Sequence, residues 1–213
     1  MPDSKKKRAK LSEIAPLRIP ADYQEDQYDP VGNFLQQTSV FETGGGKYMN
    51  HPVITDPKSL QYGQRAIGEY GLMPKTVSET INRGILSGKS NPVSNKIDKP
   101  EEVRIEPETI EMYSTLVPGM DTKDKDFQKK LEARMGDYLK TRPQDQEVYA
   151  ERLAEHLLKK TEGEEGKAHY LWNMGHNKNV NKMPESELEQ SKHYRKWKAL
   201  KDIMSKKAKK KGE

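Results

Sequence analysis

Residues 29–46 have the sequence DPVGNFLQQTSVFETGGG, which contains the start, the buried face and the end of one helix. Asp29 is a favourable N-cap residue, and Pro30 suits the first helical position, where its missing N–H loses no hydrogen bond. Apolar side chains then recur at the spacing of one helix face. The glycines at 44–46 end the helix, because glycine readily leaves the helical conformation. Glu42 is therefore expected at a helix C-terminus, beside apolar side chains.

The composition indicates a small hydrophobic core. Of the 213 residues, 32% are hydrophobic and 33% are charged, whereas roughly 45–50% of the residues in a globular protein are apolar. We expect one compact domain of about 120–150 residues, with extended and partly disordered ends. The absence of cysteine excludes disulfides, thiol nucleophiles and cysteine-based metal sites. No apolar run is long enough for a membrane-spanning helix.

Apolar periodicity predicts a mostly α fold in which long loops separate the helices, since no alternating strand pattern is convincing. Beyond the first helix, the predicted helices cover residues 74–86, 107–117, 127 to just before Pro143, 144–160, 165–174 and 184–208. The apolar face of the helix at 144–160 is expected to contain Val148, Leu153, Leu157 and Leu158. The predicted units are an extended basic arm (1–29), a main helical domain (30–183) and a C-terminal helix with a basic tail (184–213).

The basic excess lies at the two ends of the chain. The 38 Lys+Arg exceed the 33 Asp+Glu by only five, and lysine-rich runs occur at residues 5–8 and 206–211. Such tails bind polyanions weakly and without sequence preference. We therefore expect the termini to contact partner proteins and to touch DNA only through phosphate charge. The charged N-terminus is not followed by an apolar stretch, so no secretory signal is predicted.

Two later segments extend the pattern that begins with Glu42. Residues 68–77 have the sequence GEYGLMPKTV, and residues 172–175 have the sequence WNMG. In this order the three segments resemble the lytic transglycosylases of the goose-type lysozyme superfamily, nearest to the transglycosylase modules of phage virions. That family has a catalytic Glu at a helix end, then a Gly-Leu-Met segment, then a Tyr-Asn-Ala-Gly motif on a helix. The resemblance implies a lysozyme-like domain across residues 30–183.

The resemblance implies an enzyme that cleaves the glycan strand of peptidoglycan, with Glu42 as its one catalytic residue and with no cofactor or metal. The residues expected to bind the strand are Gly71, Leu72, Met73, Trp172 and Asn173. Such an enzyme would be made in the host cytoplasm, carried in the virion with other virion proteins, and used to open the cell wall locally as the genome enters. The chain departs from the family at Glu69, Pro74 and Trp172, where the family usually has Ala, Gln and Tyr.

A catalytic role for Glu42 also requires that the pKa of its carboxyl group be raised. A carboxylic acid can protonate a glycosidic oxygen near neutral pH only if its pKa is raised, so we expect Val40, Phe41 and other apolar neighbours to raise the pKa of Glu42. Hydrolases usually add a second carboxylate. None is obvious here, which favours transglycosylation. Glu69 is the foremost candidate for that role, followed by Asp56 and Glu79.

Three other interpretations remain open from the sequence. The departures at Pro74 and Trp172 also suit an inactive structural virion protein that keeps the lysozyme-like fold. The Lys-rich ends also suit a basic assembly protein or one associated with nucleic acid. Trp172, at helical spacing from Ala168, also suits an ordinary core position. His169 and His176 lack a nearby third ligand, so a metal site is not expected.

Overall fold

The computed structural model describes residues 29–46, 50–57, 63–82, 119, 121, 124, 127–175 and 178–211. This part of the chain is mostly helical, which confirms the predicted fold class. Its β pairing consists of the isolated antiparallel bridges Val53–Arg65 and Ile67–Leu72. The predicted helix at 107–117, the loop at 87–107 and nearly all of the basic arm at 1–29 lie outside the described residues. None of the described helices is both long and apolar enough to cross a membrane.

The helices follow the predicted order along the chain. Their bounds are α1 Pro30–Thr43, α2 Pro74–Asn82, α3 Phe127–Thr141, α4 Pro143–Lys160, α5 Glu165–Met174, α6 Glu185–Leu188 and α7 Lys192–Lys211. The prediction of a single helix at 184–208 is wrong, because this segment is divided into α6 and α7. Between them, the buried Ser191 Oγ accepts a hydrogen bond from the backbone N–H of Tyr194 at 3.3 Å. A serine that bonds the amide three residues ahead favours a helix start over a helix interior.

Helix α1 lies at the centre of the fold and contacts both α4 and α7. It begins as predicted, since the Asp29 side chain accepts a hydrogen bond from the Gly32 N–H at 2.7 Å. It ends at Gly44, whose φ of 66° is left-handed. Phe34 and Phe41 on its inner face are fully buried. The local signals in the sequence therefore predict both ends of α1 correctly.

Replacing Asp29 with Ala tests this cap. The change removes the side-chain acceptor of the Gly32 N–H, so we expect the free energy of unfolding, measured by urea denaturation, to fall by about 1 kcal/mol. Asp29→Asn keeps an oxygen acceptor at the same place and is the matched control. An equal loss of stability in both variants would contradict the capping role.

Three groups of buried side chains form the core. The first joins the segment 67–77 to α3 and contains Ile67, Leu72, Val77, Leu131, Met135, Leu139 and Tyr149. The second joins α1, α4 and α5 around Phe34, Leu157 and Leu171. In the third, Leu200 of α7 packs on Val40 and Phe41 of α1. The C-terminal helix is therefore part of the core.

Helix α4 buries Leu153, Leu157 and Leu158 as predicted, but it does not bury Val148. Val148 is 53% exposed, while the adjacent Tyr149 and Ala150 are buried together with Leu153 and Leu157. The prediction for Val148 is wrong because an aromatic side chain and a small side chain, placed one turn before Leu153, fill the space toward the core. Apolar periodicity does not show which of the three consecutive residues Val148, Tyr149 and Ala150 face the core.

Candidate functional site

Glu42 lies in the last turn of α1, where its side chain is 18% exposed. Its Oε1 atom is 2.8 Å from Nε2 of His193, which is fully buried on α7. The sequence pattern does not predict this contact, because His193 belongs to a charged helix far along the chain. Its one sequence signal is a histidine placed one residue before the buried Tyr194 and seven residues before the buried Leu200. That spacing puts it on or beside the inner face of α7.

The expected raised pKa of Glu42 is wrong. Burial does raise the pKa of this carboxyl group, as predicted. The close contact with His193 and the electrostatic interactions with Lys192 and His51 act the other way and together outweigh it, so the pKa is lowered from its usual value. The free protein therefore favours the carboxylate form of Glu42 near neutral pH.

The second sequence segment forms a tight hairpin against this carboxyl group. The backbones of Ile67 and Leu72 exchange two hydrogen bonds of 2.9 Å, and the loop between them contains Gly68 and Gly71 with φ of 73° and 63°. A Cβ atom placed on Gly71 would lie 2.7 Å from Cδ of Glu42. Only glycine fits this left-handed position and this close approach. The structure thus brings together Glu42 and Gly71, as the resemblance implies.

The possible second carboxylate, Glu69, occupies the same hairpin loop. Its carboxylate accepts a hydrogen bond from the Ser39 hydroxyl, and its backbone carbonyl accepts one from Thr43 Oγ1 at 3.2 Å. One residue earlier, the Gly68 carbonyl accepts a hydrogen bond from Nε2 of His51 at 2.8 Å. The contacts with Ser39 and Thr43 attach the hairpin to the C-terminal part of α1, and the contact with His51 attaches it to the segment 50–57.

The third sequence segment reaches the hairpin through Trp172 on α5. The half-buried indole donates a hydrogen bond from Nε1 to the Tyr70 carbonyl at 3.3 Å, and its ring lies 5.6 Å from that of Phe34, centroid to centroid. Asn173, expected to bond Glu42 or substrate, is exposed, and its Oδ1 accepts a hydrogen bond from Ser191 Oγ at 3.1 Å. Trp172 therefore packs in the core and also fixes the hairpin.

The other two residues of the Gly-Leu-Met turn differ in exposure. Leu72 is buried and Met73 is half-buried, and the Met73 carbonyl accepts the first backbone hydrogen bond of α2, from Val77 at 3.0 Å. A cavity of about 480 Å³ lies on the α3 side of this segment and does not include Glu42. It is lined by Gly63, Gln64, Arg65, Ile67, Pro74, Glu132, Ala133, Gly136, Asp137 and Lys140.

Helix α7 supplies positive charge beside Glu42. Lys196, one turn after Lys192, donates a hydrogen bond from Nζ to the Phe41 carbonyl at the end of α1. Burial lowers the pKa of Lys196 to about 8, and the charge of Lys192 acts in the same direction while Glu42 opposes both. A cation at a helix C-terminus is favourable because the carbonyl ends carry partial negative charge. The sequence does not predict this contact between α7 and the end of α1 either, because Lys196 is distant from Phe41 along the chain.

His169 has a role in the core. Its ring stacks on Phe34 with 4.2 Å between centroids, and its Nε2 donates a hydrogen bond to the Gln37 side-chain oxygen at 2.8 Å. Burial lowers its pKa well below the usual value, so the ring is neutral near pH 7. His176 lies outside the described residues, among which no group of three side chains suited to a metal occurs.

The assembled site is one partly exposed carboxyl group at a helix end, with a glycine hairpin on one side and a buried imidazole on the other. Such a group can exchange a proton with a bound molecule. No protein-family model, curated protein or solved structure matches the chain.

Proposed function

We propose that the protein is a peptidoglycan lytic transglycosylase in which Glu42 is the single acid and base. The observation that carries the proposal is the convergence of the three sequence segments. Gly71 lies against the Glu42 carboxyl group, and Trp172 holds the carbonyl of the neighbouring Tyr70. The first two segments thus meet at the Glu42 carboxyl group, and the third contacts the hairpin formed by the second.

The reaction begins with Glu42 in its protonated form. The carboxylic acid donates its proton to the glycosidic oxygen, and the bond from that oxygen to the anomeric carbon of muramic acid breaks. The resulting carboxylate then takes the proton of the muramic acid C6 hydroxyl, whose oxygen attacks the anomeric carbon and forms the 1,6-anhydro ring. Burial already acts to raise the pKa of Glu42. A glycan strand that covers the carboxyl group removes more water and acts in the same direction.

The surroundings of Glu42 support transglycosylation over hydrolysis. The group that directly faces its Oε1 atom is the imidazole of His193, whereas a hydrolase of the usual kind has a second carboxylate across the bond to be cleaved. Glu69 is hydrogen-bonded to Ser39, which leaves it less available to activate water. The location in a phage particle, and the opening of the wall as the genome enters, rest on the resemblance in sequence.

Mass spectrometry of the muropeptides that the full chain releases from purified murein tests the proposal. We expect products that end in 1,6-anhydromuramic acid. Products with reducing ends would indicate a hydrolase instead, and Glu69→Gln would then show whether Glu69 is its second carboxylate. Absence of any released muropeptide across pH 4–8 would overturn the proposed activity.

A structural virion protein without activity is the second candidate. The lowered pKa of Glu42 favours it, because a carboxyl group that stays ionised is a poor acid. This candidate predicts a folded protein that releases no product from murein. It also predicts that the Glu42→Gln variant assembles into particles as the wild type does. Infection by particles carrying Glu42→Gln, compared with wild type on cells with a thick wall, separates the two candidates.

A further inference from the structure

His193 lies against the carboxyl group of Glu42. It is fully buried on α7, with its Nε2 atom 2.8 Å from Glu42 Oε1. The Phe41 ring packs against it edge to face, with 5.6 Å between centroids. Both of its ring nitrogens are buried, and neither has a hydrogen bond of regular geometry among the described residues. Burying an imidazole without polar contacts is costly, so the short approach of Nε2 to the Glu42 carboxyl group is the contact that offsets this cost.

We propose that His193 is a positioning residue, which holds the Glu42 carboxyl group toward the substrate and sets the pH range in which it works. The catalytic part of this inference rests on the proposed function. The contact itself does not, because it is present whatever the protein acts on.

The two oxygens of Glu42 face different groups. Oε1 faces His193, and Oε2 lies on the Gly71 side, 3.0 Å from the position that a Cβ atom would take there. Nε2 of His193 and Oε1 of Glu42 are at ion-pair distance, although Nε2 forms no hydrogen bond of regular geometry. Oε1 is therefore occupied by His193, and Oε2 is the oxygen left to exchange a proton with a glycan.

Other charged groups act on the same carboxyl group and are unaffected by a change at position 193. Lys192 and His51 also lower the pKa of Glu42, and Lys196 interacts with its charge. His169 lies beside His193, with 6.2 Å between ring centroids, and stays neutral near pH 7. Removal of His193 therefore leaves the effect of burial on Glu42 opposed by the weaker interactions with Lys192 and His51.

The experiment compares wild type, His193→Phe and His193→Gln as full chains. The pKa of Glu42 is measured from its side-chain carboxyl ¹³C shift, assigned with Glu42→Gln, and kcat/KM on murein is measured against pH. We expect Glu42 to titrate at higher pH in His193→Phe, and the basic limb of the kcat/KM profile to move with it. We expect kcat at the optimum to fall about 10- to 100-fold, because the carboxyl group loses its fixed orientation. His193→Gln keeps an N–H donor and should recover part of both properties.

His169→Phe is the matched control, since it replaces an equally buried histidine that does not contact Glu42. It should leave the Glu42 titration unchanged. A folded His193→Phe with an unmoved Glu42 titration would overturn the inference, even if the enzyme is active. If the Glu42 titration moves in His193→Phe but the wild type releases no muropeptide, the contact is supported and the proposed function is contradicted.

A second variant, His193→Leu, covers the case in which His193→Phe does not fold. Its smaller side chain also removes the ring nitrogen that faces Oε1 of Glu42. We expect Glu42 to titrate at higher pH in His193→Leu as well. An unmoved Glu42 titration in folded His193→Leu would overturn the inference.

Discussion

Glu42→Gln is expected to reduce the release of muropeptides from purified murein by a factor of about 10² to 10⁴. The amide has nearly the same shape as the carboxyl group, and its oxygen can still lie against Nε2 of His193. It cannot donate an acidic proton or later accept one, so both proton transfers of the reaction are lost. The measurement is the rate of release by chromatography and mass spectrometry at the pH optimum of the wild type.

The control for this change is Glu155→Gln, which removes a carboxylate that is 44% exposed on α4 and paired with Arg152. It should keep full activity, because an exposed ion pair of this kind contributes little to stability. Circular dichroism of both variants should match the wild type. Wild-type activity in a folded Glu42→Gln would show that Glu42 is a structural ion-pair partner and would end the proposed mechanism.

Glu42 also predicts a pH dependence of stability. Its folded-state pKa is lowered, so its ionised form stabilises the fold at pH values above the unfolded-state pKa. This contribution is lost as the pH falls through the folded-state pKa. Urea denaturation of wild type should therefore show a stability advantage over Glu42→Gln near neutral pH that shrinks in acid. An advantage that grows in acid would contradict the lowered pKa.

Gly71→Ala is expected to have the second-largest effect. The residue has a φ of 63°, and its new Cβ atom would lie 2.7 Å from Cδ and 3.0 Å from Oε2 of Glu42. The left-handed conformation alone destabilises a residue with a side chain by about 1–2 kcal/mol. The close approach also pushes the Glu42 carboxyl group from its place, for which we expect about 100-fold lower activity. Urea denaturation and the murein assay measure the two effects separately.

Gly63→Ala separates strain from displacement. Gly63 has a φ of 78°, but a Cβ atom there would meet nothing within 4 Å. It should lose similar stability through backbone strain while keeping its activity. If Gly63→Ala lost as much activity as Gly71→Ala, general destabilisation would explain both results, and the close contact with Glu42 would have no functional role.

Some features of this protein follow from local chemistry, and the sequence predicts them well. The N-cap Asp29, the proline after it and the glycine at position 44 define α1 because each acts on its own stretch of backbone. The placement of Glu42 at the helix end follows from the same signals. The helices α3, α4 and α5 are also predicted closely, since their apolar residues recur at helical spacing.

Other features depend on competition between a local signal and packing. The helix predicted at 184–208 is interrupted because Ser191 bonds the Tyr194 amide, an alternative that periodicity does not reveal. Val148 is exposed because Tyr149 fills the core in its place. In both cases the sequence allows two arrangements, and contacts with other segments select one of them.

The sequence by itself determined the helical class, both ends of α1 and the position of Glu42 on its last turn. Only the tertiary structure decided the chemistry of that carboxyl group. The packing of α7 on α1 places the imidazole of His193 against Oε1 of Glu42 and lysines nearby, so the pKa is lowered where apolar neighbours alone would raise it. The physical reason is that a pKa depends on every charge and donor within a few ångströms, and chain folding alone brings distant residues to that distance.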